Sequence, residues 1–123
     1  MNQEQEFKLC NDFPKLYRGK DESVQNNLMC FGFECGSGWF NLIYELSKKI
    51  CEIADKEKLD PYPKAFQVKS KYGELRYYID NGSDKINEVI QIAENKSRNI
   101  CEGCGAPGNS VQVHGWIYTT CDK

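Results

Sequence analysis

Phe7, Cys10 and Phe13 recur at helical spacing near the start of the chain. They predict a short first helix that ends before Pro14, because proline disfavours helical backbone in the residue ahead of it. Residues 14–34 carry no periodic pattern and predict a long irregular segment anchored by Tyr17, Phe31 and Phe33. The strongest amphipathic signal follows. Trp39, Leu42, Ile43, Leu46, Ile50, Ile53 and Ala54 form one apolar stripe. They predict a helix from about Gly38 to Lys56, capped by Ser37 and ended before Asp60-Pro61-Tyr62-Pro63.

Strict alternation then replaces the helical period. Phe66, Val68 and Ser70 alternate with Gln67, Lys69 and Lys71; beyond Tyr72-Gly73, Leu75, Tyr77 and Ile79 alternate with Arg76 and Tyr78. A two-residue turn at Tyr72-Gly73 pairs Lys71 with Glu74, Lys69 with Arg76, Val68 with Tyr77 and Gln67 with Tyr78. One face of this hairpin is then apolar (Phe66, Val68, Leu75, Tyr77, Ile79), and the other presents Gln67, Lys69, Lys71, Arg76 and Tyr78. Asn81-Gly82 ends the hairpin, and Ser83 with Asp84 predicts the start of a third helix with the stripe Ile86, Val89, Ile90 and Ala93. In the last quarter, Val111 and Val113 belong to one short strand and Trp116, Ile117 and Tyr118 to another, around His114-Gly115. The order predicts an α+β protein, with helices packed on a small antiparallel hairpin sheet. Residues 1–99 form the core, and residues 100–123 form a ribbon-like module packed on it.

At 123 residues the chain has room for one hydrophobic core of useful size. Its net charge of −2 and pI near 5.5 argue against a general coat for nucleic acid, which needs many cations. No apolar run approaches the ~20 residues of a membrane span, and the polar start is unlike a signal peptide, so a cytoplasmic location is expected. The single histidine, His114, removes most acid–base and metallohydrolase schemes.

Charge is unevenly placed. Residues 64–79 hold Lys64, Lys69, Lys71 and Arg76 against Glu74 alone, a net of +3 on an acidic chain. Such a strip suits a compact anion: arginine offers a bidentate fork to phosphate, and tyrosine a ring for a base. The same strip also describes a solvated outer sheet face, where charge discourages edge-to-edge association. Ahead of the long helix, Gly36-Ser37-Gly38 could converge backbone N–H groups on a phosphate, with Trp39 stacked on a base. It equally reads as a tight turn with a serine cap. Cys35 beside it is a candidate nucleophile if its thiol is activated.

The seven cysteines, an odd number without a secretory signal, speak against a disulfide framework. Cys51 and Cys10 read as small buried hydrophobes. Cys101-Glu102-Gly103-Cys104-Gly105, followed by Cys121, looks like three-quarters of a zinc ribbon. A fourth ligand would come from His114, Cys35 or Cys30. Without metal, Trp116, Ile117 and Val113 would have to hold the ribbon.

Three stretches resemble a family of small proteins encoded by phages and prophages. They are Cys30-Phe31-Gly32-Phe33-Glu34-Cys35-Gly36-Ser37-Gly38-Trp39-Phe40-Asn41-Leu42-Ile43, Gln67-Val68-Lys69-Ser70-Lys71-Tyr72-Gly73-Glu74-Leu75-Arg76-Tyr77-Tyr78 and Ile100-Cys101-Glu102-Gly103-Cys104-Gly105-Ala106-Pro107-Gly108. Its members have mostly unknown function, and many carry a further His or Cys beyond the last cysteine, where this chain has Asp122-Lys123. By analogy with other small phage proteins, the resemblance implies a counter-defence factor in the host bacterial cytosol that sequesters a nucleotide immune signal. Lys69, Lys71 and Arg76 would take its phosphate, Tyr78 and Trp39 its base, and Gly36, Ser37 and Gly38 would add backbone donors. The alternative is a zinc-ribbon module, with Cys101, Cys104, Cys121 and His114 on the metal, that binds a host protein or nucleic acid. Self-association is compatible with either.

Overall fold

A computed structural model describes residues 1–121, except for the side chains of Val113 and Tyr118. Helix α1 spans Gln3–Asp12 and is closed at its start by a reciprocal pair. The Asn2 side chain accepts the Gln5 N–H at 2.8 Å, and the Gln5 side chain accepts the Asn2 N–H at 3.4 Å. The helix ends before Pro14 as expected, but Leu9 is its buried residue while Phe7 is exposed. Tyr17 and Phe33 are buried anchors; Phe31, expected to join them, is exposed.

Strand β1 (Phe33–Glu34) pairs in parallel with β2 (Lys64–Lys71), which pairs antiparallel with β3 (Glu74–Asp80). The sheet is therefore mixed and three-stranded. Two residues are too short to show an alternation, which is why β1 was not foreseen. The hairpin register is the expected one at all four named pairs. Its turn places Tyr72 and Gly73 at φ of 55° and 74°, the left-handed pair that matches strand twist in two-residue hairpins. A bulge between Ala65 and Gln67 corrects one expectation: Ala65 goes into the core, and Phe66 is only half-buried.

Helix α2 (Phe40–Glu57) follows a single 3₁₀ turn at Ser37–Trp39, and Ser37 makes no capping hydrogen bond with its side chain. Ile43, Leu46, Ile50 and Ala54 are buried, as the stripe predicts. Helix α3 (Asp84–Ser97) is capped by Ser83, whose hydroxyl accepts the Ile86 N–H at 3.4 Å. It packs between α2 and β3 through Ile86, Ile90 and Ala93. Strands β4 (Asn109–Val113) and β5 (Trp116–Thr120) form a second hairpin around His114 and Gly115. No helix among the described residues is long and apolar enough to cross a membrane.

The core carries one polar chain. The Tyr77 hydroxyl donates to Tyr17 (2.9 Å), Tyr17 to Ser47 (2.6 Å), and Ser47 to the Ile43 carbonyl (2.7 Å). Every hydroxyl has a partner, so burial costs little, and that burial pushes the Tyr17 phenol well above its usual range. On the far side of β3, the N–H of Leu75 donates to Ser97 Oγ (2.9 Å) and that of Tyr77 to Glu94 Oε2 (3.0 Å). Helix α3 thus hydrogen-bonds the outer rim of the sheet. Ser97→Ala would strand the Leu75 N–H in the core. A loss of about 1–3 kcal/mol is expected in urea unfolding, and an unchanged midpoint would show that water replaces the hydroxyl.

Candidate metal centre

The knuckle at residues 101–105 is shaped by its own backbone. Cys101 N–H donates to the Ala106 carbonyl (2.7 Å), Gly105 N–H returns to the Cys101 carbonyl (2.8 Å), and Gly105 sits at φ 82°. Cys121 follows β5 and reaches the same point. The sulfurs of Cys101, Cys104 and Cys121 all lie within 4.8 Å of one another, and those of Cys104 and Cys121 are 3.6 Å apart. Thiolates at ~2.3 Å from a tetrahedral zinc would be separated by about 3.8 Å. The three cysteines could therefore hold a metal ion such as zinc. Backbone N–H groups of Cys104 and Cys121, with that of Gly103, draw the Cys101 thiol down to about 6. Cys104 is drawn down by the Ala106 N–H, yet ends above the ordinary range because Cys101 and Cys121 crowd it. A cation would relieve that crowding.

The fourth ligand is not among the residues proposed for it. His114 lies at the ribbon tip beside Val113 and Trp116, whereas Cys121 extends the opposite end at Thr120. Four residue steps from Trp116 to Thr120 separate the ends, roughly 13 Å at ~3.3 Å each. Neither Cys30 nor Cys35 joins the cluster among the described residues. Trp116 is 69% exposed, so it does not anchor the ribbon; the side chain of Val113 lies outside the described residues, as do Asp122 and Lys123.

What does anchor the module is Glu102, which the sequence reading passed over. One carboxylate oxygen accepts the Gly36 N–H (2.8 Å) and the other the Ser70 hydroxyl (2.8 Å). Its backbone carbonyl accepts the Gly38 N–H (2.7 Å), and its own N–H donates to Thr119 on β5 (3.1 Å). The approach is so close that a Cβ on Gly38 would stand 2.1 Å from the Cys101 carbonyl oxygen. The N–H groups of the glycine turn are thus taken by Glu102 itself, that of Gly36 by its carboxylate and that of Gly38 by its backbone carbonyl. This corrects the assignment of Gly36 and Gly38 as donors to a ligand. Trp39 is corrected too: it is fully buried and donates its indole N–H to the Ile100 carbonyl (2.9 Å), so its ring is not available to a base.

The basic strip is partly neutralised. Lys64 pairs with Glu22 (2.8 Å), and Arg76 with Glu74 (3.3 Å), whose carboxylate also meets Arg98 (3.0 Å). Lys69 and Lys71 have no carboxylate within 4 Å among the described residues, and lie over the rings of Tyr78 (5.9 Å) and Tyr72 (5.5 Å). Tyr78 is 42% exposed. The strip and the glycine turn meet only in part. Gly36 and Lys71 line a groove against the ribbon, Ser37 and Gly38 line a second cavity beside Cys104, and Lys69, Arg76 and Tyr78 line neither.

Cys35 is buried, and that burial, followed by the nearby Glu102, pushes its thiol up to about 12. Activation as a nucleophile would need the opposite shift. Its thiolate population at neutral pH falls about a thousandfold below that of an ordinary thiol. Iodoacetamide at pH 7.5, read by peptide mass spectrometry, should therefore modify exposed Cys30 long before Cys35. Fast labelling of Cys35 would restore the nucleophile reading. No known protein family matches this chain, nor does any curated protein or solved structure; the three-cysteine cluster is the chemical feature the fold itself puts forward.

Proposed function

We propose that the chain is a non-enzymatic binding protein whose C-terminal ribbon is clipped to its own knuckle by a zinc ion on Cys101, Cys104 and Cys121, while Glu102 joins that module to the α+β core. The observation that carries this reading is the convergence of three sulfurs within 4.8 Å of one another on a knuckle closed by backbone hydrogen bonds. Three thiolates more than cancel the charge of a divalent ion, which blunts its pull on a bound water and suits a clip better than a hydrolytic centre. The acidic chain favours a protein or small-molecule partner over nucleic acid. Native mass spectrometry should find one zinc per chain. The exposed position of Cys104 makes Cys104→Ser the informative variant. It should lower zinc content, and the ribbon amides should lose hydrogen-exchange protection while α2 keeps its own. Metal-free protein with a protected ribbon would overturn the clip.

A second reading, sequestration of a phosphate-bearing nucleotide signal as a phage counter-defence factor, is favoured by Lys69 and Lys71, which have no carboxylate within 4 Å among the described residues. It predicts binding of a cyclic dinucleotide or an ADP-ribose derivative in isothermal titration, weakened about tenfold by Lys69→Ala through loss of a charge-assisted contact. Arg76→Ala should matter less, since Glu74 already holds that guanidinium. Silence across the panel removes the reading.

A further inference from the structure

A depression of about 840 Å³ lies between the tip of the β2–β3 hairpin and the β4–β5 ribbon. That is within the ~300–1,000 Å³ of sites that take small organic ligands. Two aromatic rings reach it from separate hairpins. Tyr72 is 68% exposed and Trp116 69% exposed, although rings of that size normally bury most of their apolar surface. Val111 and Ile117 extend the apolar lining on the ribbon side.

Charge selects the guest. Glu102 lies at this groove, but both of its carboxylate oxygens are engaged, by Ser70 and by the Gly36 N–H. Lys71 lines the same groove with no carboxylate within 4 Å among the described residues, and its ammonium lies over the Tyr72 ring. Lys71 is thus the cation this groove offers a ligand, beside two flat hydrophobic faces and a carboxylate whose oxygens are already hydrogen-bonded.

Tyr72 also occupies a backbone position that ordinarily goes to other residues. Its φ of 55° is the left-handed conformation that Asn, Asp and Gly adopt most easily in such turns, and a bulky residue there is disfavoured. The fold tolerates that cost and gains from it an aromatic face outside the core.

We infer that this groove binds a planar aromatic ring bearing a negative charge, of nucleotide size, with Tyr72 and Trp116 as its stacking surfaces and Lys71 as its cation. This rests on the binding-protein reading but not on the zinc clip, and it places the ligand away from the sheet face of Lys69 and Tyr78. Stacking supplies affinity without demanding a particular base, and the lysine distinguishes a charged ring from a neutral one.

The test is isothermal titration of the full chain with the common nucleoside 5′-monophosphates, adenosine and inorganic phosphate, with zinc content measured on the same sample. At least one monophosphate should bind, at least about tenfold more tightly than adenosine, while phosphate alone gives no heat. Trp116→Ala and Lys71→Met should each weaken binding about tenfold or more, with unchanged circular dichroism. Tyr72→Asn should weaken it too while raising the unfolding midpoint, an opposition of sign that a purely structural tyrosine would not produce. The inference fails if no monophosphate binds, if adenosine binds equally well, or if Lys69→Ala and Tyr78→Ala weaken binding while Trp116→Ala does not. It also fails if sedimentation shows a dimer dissolved by Trp116→Ala, since the groove would then be an interface between copies. Ligand binding by zinc-free protein would remove the clip and leave the groove standing.

Discussion

The attachment of the cysteine knuckle to the glycine turn depends on Glu102. A carboxylate set on two donors, with its own backbone bonded on both sides, joins the 3₁₀ turn before α2, strand β2 and strand β5 at one residue. Hydrogen bonds to a charged acceptor are worth roughly 1.5–3 kcal/mol each, and these operate where the two glycines admit the knuckle backbone at closer range than any side chain would permit. The groove and the cysteine cluster both inherit their placement from that contact. The indole of Trp39 adds to the junction from below through Ile100, so the aromatic expected to meet a ligand serves the seam between core and ribbon.

Electrostatics on the sheet follow a related logic. Lys69 and Arg76 face each other across the hairpin, a like-charge pair that is unfavourable when left alone. Glu74 relieves it from the neighbouring position, held between Arg76 and Arg98, and Glu34 arrives in register with Lys69 through the parallel pairing of β1. Summing charges over residues 64–79 cannot register a carboxylate delivered by a distant segment. The local excess is therefore reduced but not removed, and its residual positive character lies at Lys69 and at Lys71 near the hairpin tip.

Features set by nearby residues were legible in the sequence. The hairpin register follows from strict alternation around a turn with the right backbone preference, and the α2 and α3 stripes follow from helical period. The spacing of Cys101, Cys104 and Cys121 announced their meeting. Features set by tertiary contact were not legible. Strand β1 is too short to have a period, the bulge at Phe66 leaves the alternation intact on paper, and the burial of Leu9 in place of Phe7 is decided by how α1 lies on the rest. Glu102 is the instructive miss. An acidic residue inside a Cys-x2-Cys knuckle and a glycine turn suited to anions were both visible, but nothing in their separation along the chain said that each was the other's partner.

The way α3 meets β3 bears on how this protein behaves in a crowd. Ser97 and Glu94 take N–H groups along the β3 rim of the sheet, which α3 covers, and the opposite rim is shielded by the very short β1. A foreign strand seeking to extend the sheet finds those donors spoken for on one side and little length on the other. Protection against runaway polymerisation through the central sheet is thus written into the polar residues of a helix.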